Sequence, residues 1–206
     1  MPRPFILAIT GATNAGKSYF RNEFMKLAIH HKLNVEFLST DEFYKDLSHL
    51  TMEERTKVNY DHPDSIDSFE FVKALKSLAE GKTTIVPVYN FSIHNRDEKT
   101  REIIPQDVII VEGIFSMVYA DIVQYYNLTV FIDLERDLRL IRRINRDMQE
   151  RGRTLDSVID QFTTTVRPTQ KSFVEEDVNK ADIIVKGDRD HTRVIEMIIS
   201  YIKSQA

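Results

Sequence analysis

The feature that most constrains the fold is the stretch GATNAGKS, residues 11–18, which fits the pattern G-x-x-x-x-G-K-[ST]. It follows the apolar run Phe5–Thr10, and a helix-like segment begins at Lys17. In this strand–loop–helix context, backbone N–H groups surround the phosphates of a nucleotide. Lys17 would reach the β- and γ-phosphates and the Ser18 hydroxyl would bind Mg²⁺; a glycine turn without a ligand is the alternative. The predicted phosphate-binding residues are Gly11, Ala12, Thr13, Asn14, Ala15, Gly16, Lys17 and Ser18.

Short apolar runs alternate with longer helix-like segments along the chain. Most of the runs are β-branched and continuously apolar, as expected of strands buried on both faces. The predicted strands are Phe5–Thr10, Val35–Ser39, Val108–Val111, Thr129–Ile132 and Asp182–Val185. The predicted helices are Lys17–His30, Ile66–Glu80, Glu135–Arg151, Leu155–Val166 and Thr192–Lys203. The alternation predicts an α/β fold with a mostly parallel sheet, helices on both faces, and ligands beyond the carboxyl ends of the strands.

The composition excludes several classes of protein. The 206 residues carry a formal net charge of −4, whereas a duplex nucleic-acid binder usually has a basic excess. There is no cysteine, so disulfides and thiolate chemistry are excluded. No apolar run approaches the roughly 18 residues of a membrane-spanning helix, and the first apolar run is too short for a signal peptide. We expect a cytoplasmic protein that binds neither nucleic acid nor membrane.

Two carboxylates follow predicted strands. Asp41 comes just after the second strand, in DEFY, and Glu112 ends the strand in VIIVEG. Transfer of a phosphoryl group to an alcohol needs acids near the metal and a base for the hydroxyl proton. We expect Asp41 to be the base and to touch the metal shell, and Glu112 to hold Mg²⁺. The alternatives are a helix N-cap for Asp41 and a solvated strand end for Glu112.

Aromatic and hydrogen-bonding residues are mixed in two further segments. NYDHPDSID contains Asp61 before a predicted helix, and VPVYNFSIHNR contains Tyr89, Phe91 and His94. Aromatic rings stack on planar bases, and an aspartate accepts hydrogen bonds from two hydroxyls. The two segments therefore suit a planar base attached to a sugar diol. As alternatives, Asp61 could start the helix and the aromatic residues could pack within a β-hairpin.

Seven arginines fall between Arg136 and Arg153. Several of them recur at helical spacing, which brings their heads onto one helix face. Arginines near a transferring phosphate stabilise its spreading negative charge. A segment that closes over the nucleotide would also exclude water. The alternative is a solvated helix with surface ion pairs.

Together these segments resemble the uridine (uridine–cytidine) kinase family, within the phosphoribulokinase-like P-loop kinases. The resemblance covers about residues 5–185, and its most specific part is YDHPD followed by PVY-x-F-x-x-H-x-R and RD-x-x-ERGR. The matching stretches are GATNAGKS, DEFY, YDHPDSID, PVYNFSIHNR, VEGI, FIDLERDLRLIRRINRDMQERGR, QFTTTVRP and ADIIV. The resemblance implies transfer of the ATP γ-phosphate to the 5′-hydroxyl of uridine or cytidine, which gives UMP or CMP in pyrimidine salvage.

The resemblance also implies a role for each matching residue. For catalysis these are Asp41, as base on the 5′-hydroxyl, with Lys17, Arg146 and Arg151 on the phosphates. For the nucleoside they are Asp61 and Arg143 at the ribose, Tyr89, Phe91 and His94 at the base, and Arg153 and Gln161 to complete the pocket. For Mg²⁺ they are Ser18, Asp41 and Glu112.

The implied architecture is one P-loop NTPase-type kinase domain over residues 1–206. A nucleoside-binding insertion at about residues 59–96 would include a small β-hairpin over the nucleoside site, and an arginine-rich lid would span about residues 142–167. Members of the family are often homotetramers, so a homo-oligomer is the implied state.

Three positions depart from the usual family pattern. The loop interior Ala12–Ala15 looks more like that of nicotinamide riboside kinases, Asn90 stands where Asp is common, and Phe162 stands where Tyr is common. Nicotinamide riboside kinases lack the Tyr-x-Phe-x-x-His-x-Arg stretch, so a pyrimidine acceptor is favoured over a related small alcohol. A nucleotide-dependent switch would have no use for that stretch. A degenerate kinase is disfavoured because the phosphate loop and both acids are present.

Overall fold

The computed structural model describes residues 3–205, which form seven strands and eight α-helices. The strands are β1 Phe5–Thr10, β2 Val35–Ser39, β3 Thr84–Asn90, β4 Asn95–Ile103, β5 Val108–Glu112, β6 Leu128–Asp133 and β7 Ile183–Lys186. The helices are α1 Lys17–His30, α2 Met52–Thr56, α3 Ser68–Ala79, α4 Ala120–Val123, α5 Arg136–Arg151, α6 Leu155–Gln161, α7 Arg167–Phe173 and α8 Thr192–Ser204. Within these residues, no helix is both long and apolar enough to cross a membrane.

Five parallel strands form the main sheet in the order β2-β5-β1-β6-β7. Strands β3 and β4 form a separate antiparallel hairpin, with a register irregularity between Pro87 and Tyr89. All five strands of the main sheet therefore end at the same edge. The phosphate loop, Asp41 and Glu112 follow or end three of these strands, so they meet at that edge.

Helices cover both faces of the sheet, as the alternation predicted. On one face, α3 buries Phe71 and Leu75 against strand residues. On the other face, α1 and α8 bury residues such as Phe20 and Ile199. Because both faces are covered, strand β5, which lies between β2 and β1, is buried along its whole length, which explains its apolar run Val108–Val111.

Two helix boundaries differ from the sequence prediction by more than one residue. The helix expected from Ile66 begins at Ser68, because the Asp67 carboxylate accepts the N–H of Glu70 and caps its first turn. The helix expected to end at Val166 instead passes through a π-helical turn, Phe162–Val166, and continues to Phe173. The wider turn lies directly before Pro168, whose ring would clash with a carbonyl one turn earlier in a regular helix.

Gly113 sits where the chain leaves β5, and a side chain there has no room. It has φ of +153°, and a Cβ atom on it would lie 1.7 Å from Thr40 Oγ1. This close approach keeps the end of β5, with Glu112, against the turn that carries Asp41. Glycine is therefore required for the two acids to lie together.

We expect Gly113→Ala to lower the free energy of unfolding by about 2–4 kcal/mol, because Thr40 and the backbone must move apart. Gly152→Ala is the matched control: Gly152 also has positive φ, +63°, but a Cβ on it would meet no atom within 4 Å. That variant should lose only about 1–2 kcal/mol, the cost of the left-handed backbone. Urea unfolding of both variants tests this, and equal losses would contradict it.

Candidate active site

A cleft of about 910 Å³ opens at the carboxyl edge of the sheet, between the phosphate loop, the hairpin and α5. Nearly all the sequence-predicted site residues line it. Those that do are Thr13, Asn14, Gly16, Lys17, Ser18, Asp41, Asp61, Tyr89, Phe91, His94, Glu112, Arg143, Arg146, Arg151, Arg153 and Gln161. The other three, Gly11, Ala12 and Ala15, are buried in the wall of the phosphate loop itself.

The shape of the phosphate loop comes from its backbone conformation. Gly11 and Gly16 have φ of +136° and +112°, and Asn14 also has positive φ, +59°. Lys17 Nζ donates to the carbonyls of Gly11 and Ala12 at 2.9 and 3.0 Å. Burial lowers the pKa of Lys17, and Glu112 and Asp41 oppose that shift. The loop is thus shaped for an anion, at the N-terminus of α1.

Asp41 lies on the short 3-10 helix Thr40–Phe43, which follows β2. Ser39, and not Asp41, caps this helix, and Glu42 accepts the N–H of Ser39 at 3.1 Å to complete a capping box. The N-cap alternative for Asp41 is therefore wrong. Burial, helped by the nearby Glu112, raises the pKa of Asp41 to about 6, while Lys17 opposes the shift. A carboxylate with such a pKa is suited to accept a proton near neutral pH.

Glu112 is 6% exposed, so it is not a solvated strand end. Its Oε1 accepts hydrogen bonds from Ser18 Oγ at 3.2 Å and from Arg21 Nη1 at 3.1 Å. Its Oε2 is buried and has no hydrogen-bond partner among residues 3–205. An unsatisfied buried carboxylate oxygen beside a hydroxyl fits a bound cation. No group of three His, Cys, Asp or Glu that could hold a metal ion occurs in residues 3–205.

Asp61 and Arg143 form a buried ion pair on the far side of the cleft. The two guanidinium nitrogens lie 3.4 and 3.3 Å from the two carboxylate oxygens, and the residues are only 7% and 4% exposed. Gln161 Oε1 accepts from Arg143 at 3.0 Å and also from Arg153. Because Asp67 caps α3, Asp61 does not start that helix. The sequence alternative for Asp61 is therefore wrong.

The aromatic residues of the hairpin pack on one another and also line the cleft. Tyr89 packs against Tyr44 and Phe91, with ring centroids 4.8 and 5.0 Å apart. The His94 ring stacks on Tyr60 at 5.6 Å, and burial lowers its pKa, which favours the neutral imidazole. The Tyr89 hydroxyl is buried and has no hydrogen-bond partner among the described residues. Packing within the hairpin, the alternative reading of these aromatic residues, therefore leaves this polar group unsatisfied.

The seven arginines from Arg136 to Arg153 divide into four groups, and the first is Arg136 alone, which is exposed and pairs with Glu175. Arg139 is buried, donates to Leu134 O and Gln170 Oε1 at 3.0 and 2.7 Å, and is structural. Arg142 reaches the carbonyl of Gly187. The remaining cleft arginines all lie within 4.0 Å of one buried carboxylate, that of Asp147, so they are not isolated surface charges; they are Arg143, Arg146, Arg151 and Arg153.

Sequence reasoning missed several lining residues. Tyr44 and Tyr60 lie in the DEFY and NYDHPD stretches but had no assigned role, and Arg142 was not separated from its neighbours. The sequence presents Asp147 only as a pairing partner on α5. It is fully buried, which a position inside a run of charged residues does not reveal. The signal that could reveal them is their place beside predicted site acids, since Tyr44 lies three residues after Asp41 and Tyr60 directly precedes Asp61.

Comparison with known proteins identifies the family. The model of the "Phosphoribulokinase / Uridine kinase family" matches residues 6–192. The chain belongs to this family. It is 40% identical over 204 residues to a protein named uridine kinase from Macrococcus caseolyticus, with 99% of this chain and 98% of that protein covered. It is 39% identical over 206 residues to a uridine kinase from Clostridium novyi, with 98% and 97% covered. The fold is that of phosphoribulokinase from Rhodobacter spheroides, with a TM-score of 0.70 at 14% identity over 89% of this chain and 70% of that one.

Residues 179–182 of this chain fit the pattern N-K-x-D, which GTPases use to bind guanine. This stretch precedes β7, so it lies at the amino end of the strand, whereas the phosphate loop follows the carboxyl end of β1. Asp182 accepts hydrogen bonds from the backbone and hydroxyl of Thr129 at 2.8 and 2.7 Å. The stretch is therefore a strand connection that cannot reach a nucleotide in the loop, and the switch alternative gains nothing from it.

The raised pKa of Asp41 makes a prediction about stability. A carboxyl whose pKa is raised by folding binds protons more tightly in the folded state, so its ionisation destabilises the metal-free protein as pH rises from about 4 to about 6. We expect Asp41→Asn to gain stability relative to the unmodified protein across this range and to keep a constant advantage above about pH 7. Urea unfolding in EDTA at several pH values tests this. A difference that does not change with pH would contradict the buried, raised-pKa carboxyl.

Proposed function

We propose that this protein is an ATP-dependent kinase that transfers the γ-phosphate to the 5′-hydroxyl of uridine or cytidine and forms UMP or CMP. The observation that carries the proposal is that one cleft joins the phosphate loop and Asp41 to the Asp61–Arg143 pair and the aromatic hairpin. Donor and acceptor groups thus face each other across one space. The full-length similarity to proteins named uridine kinase supports the same substrate class.

The residues of the cleft have different roles in the proposed reaction. In the proposed reaction, Asp41 accepts the proton of the 5′-hydroxyl as that oxygen attacks the γ-phosphorus and the bond to the ADP oxygen breaks. Lys17, Arg146 and Arg151 hold the phosphates and stabilise the negative charge that spreads over them. Asp61 accepts hydrogen bonds from the ribose hydroxyls while Arg143 fixes its orientation.

The base of the nucleoside would lie against the hairpin. Tyr89 and His94 would contact its edge, and Phe91 would pack beside it. The Arg151 guanidinium lies 5.1 Å from the Phe91 ring centroid, so the lid touches this wall of the pocket. Arg153 and Gln161 would close the remaining side.

Mg²⁺ would be held by Ser18, Asp41 and Glu112, and when bound it would neutralise part of the charge on the ATP phosphates. The unpartnered Oε2 of Glu112 supports this assignment. Residues 1–206 would then act as one kinase domain, with a nucleoside-binding insertion at about 59–96 and a lid at about 142–167. A homotetramer and a cytoplasmic location, both implied by family resemblance, stay predictions.

The first experiment is ADP release from Mg²⁺-ATP with uridine, cytidine, adenosine, nicotinamide riboside or water alone. We expect turnover with uridine or cytidine, because the hairpin and Asp61 fit a base on a ribose diol. Turnover with nicotinamide riboside alone would mean that the Ala-Thr-Asn-Ala loop interior marks the substrate class better than the hairpin does. Hydrolysis that needs no acceptor would contradict the proposed function.

Asp41→Asn should keep ATP binding and lose turnover by about 100-fold or more, because no group then accepts the hydroxyl proton. Calorimetry with ATP and the ADP-release assay with uridine measure the two effects separately. The amide preserves the size of the side chain, so loss of packing is not the cause. Turnover close to that of the unmodified protein would show that Asp41 is not the base.

Asp61→Asn should raise KM for uridine by about 10-fold or more and leave KM for ATP within about 2-fold, because it weakens the ribose contacts and the Asp61–Arg143 pair, which both lie on the acceptor side of the cleft. Asp64→Asn is the matched control, since Asp64 lies three residues away and its side chain is 88% exposed. It should change neither constant. Equal increases in both KM values for Asp61→Asn would make Asp61 a structural residue.

A further inference from the structure

One buried carboxylate lies at the centre of the arginine lid. Asp147, on the last turn of α5, is fully buried. Arg146 places both Nε and Nη2 on Asp147 Oδ1, at 2.9 and 2.8 Å. Arg143 Nε, Arg151 Nη1 and Arg153 Nη1 lie 3.4, 3.6 and 4.0 Å from its carboxylate oxygens. A single negative charge thus gathers four guanidinium groups from different turns of the chain.

The backbone folds so that these four groups can meet. Gly152 ends α5 in the left-handed conformation, with φ of +63°. The N–H groups of Gly152 and Arg153 both point back to the Asp147 carbonyl. The turn therefore brings Arg151 and Arg153, which follow the aspartate in sequence, back towards its carboxylate. The main chain and the side chain of Asp147 both organise the same turn.

The charges of the cluster do not balance. Asp147 and Asp61 face four arginines, so an excess of positive charge remains at the mouth of the cleft. Without a carboxylate between them, four guanidinium groups would repel one another and turn towards solvent. Arg146 engages Asp147 through Nε and Nη2 and also lines the cleft, so its remaining nitrogen, Nη1, is the one that this pair does not use.

We propose that Asp147 is a positioning residue for phosphoryl transfer: its buried carboxylate fixes the arginines of the lid, Arg146 above all, in the orientation that meets the transferring phosphate. The proposal rests on the proposed kinase function for its rate effect. Asp147 touches no substrate, and it acts through the arginines. A preorganised guanidinium needs no reorientation as charge develops on the phosphate, which is why its position affects rate.

A double-mutant cycle with Arg146 tests the proposal. Asp147→Asn should lower kcat for uridine by about 10-fold or more and change KM for uridine by less than about 3-fold. In the Arg146→Ala background the same substitution should lower kcat by less than about 2-fold, because the side chain through which it acts is gone. A merely structural aspartate would give the same loss in both backgrounds, and that result would overturn the proposal. So would an unchanged kcat for Asp147→Asn alone.

The control is Asp137→Asn, which removes the same charge from the first turn of the same helix. Asp137 is exposed, and its carboxylate accepts only the neighbouring N–H of Leu138 among the described residues. It should keep kcat within about 2-fold of the unmodified protein. An equal loss in both single variants would mean that helix charge, and not the buried carboxylate, matters, and this would contradict the proposal.

Two further measurements keep the test decisive. If no acceptor is turned over by the unmodified protein, the proposed function fails, and the same cycle is measured in ATP affinity by calorimetry. There, Asp147→Asn should weaken binding by about 3-fold or more only when Arg146 is present.

If Asp147→Asn does not fold, Asp147→Glu replaces it, since it keeps the charge and moves the carboxylate by one methylene. A kcat equal to that of the unmodified protein would then show that charge alone suffices, against the proposal.

Discussion

The donor half of the cleft depends on backbone contacts that leave no room for a side chain. A Cβ on Gly11 would lie 2.4 Å from the Ile132 carbonyl, and a Cβ on Gly187 would lie 2.1 Å from the Ala15 carbonyl. The phosphate loop is therefore held between the ends of β6 and β7 by close main-chain packing. Main-chain contacts do not change when side chains change, so the loop interior can vary, as Ala12–Ala15 does here, while its shape stays the same.

The acceptor half is built in a different way, from side chains that meet across separate segments. The Asp61–Arg143 pair joins the NYDHPD segment to α5, the ring of Tyr60 stacks on His94, and Arg151 lies over Phe91. Arg101 on β4 adds bonds to Glu36, Glu42 and the Phe37 carbonyl, and so ties the hairpin to the turn that carries Asp41. A change in any of these side chains alters the acceptor pocket without altering the loop. Acceptor choice and phosphate binding can thus vary independently on one sheet.

The sequence predicts the parts of this structure that follow local rules. Two strands and α1 have the predicted bounds, since their apolar runs and the motif mark both ends. The π-helical turn before Pro168 was not predicted, because proline normally ends a helix and the sequence does not show that a wider turn can absorb it. Their positions after strands predict that Asp41 and Glu112 lie together at the site, and both line the cleft, while their roles stay predictions. The contacts of Asp147 with four arginines could not be predicted. These arginines lie at different spacings from Asp147 and meet it only because Gly152 turns the chain back. Charged residues that meet only through such a turn leave no periodic pattern in the sequence.

The charges of the cleft are separated before any substrate is bound. Asp41 and Glu112 lie with Lys17 on the sheet side, while the arginines gather around Asp147 on the helix side. Glu112 contributes to the raised pKa of Asp41, so the two acids repel each other when both are ionised. In the proposed reaction a cation held by Ser18, Asp41 and Glu112 would offset that repulsion, and the arginines would bind the phosphates. Water would not supply the positive charge that relieves the repulsion between the acids, whereas a nucleotide with its cation would. An arrangement of this kind favours transfer to a bound hydroxyl over hydrolysis, because the base, the phosphate and the acceptor pocket occupy one space that the lid residues border.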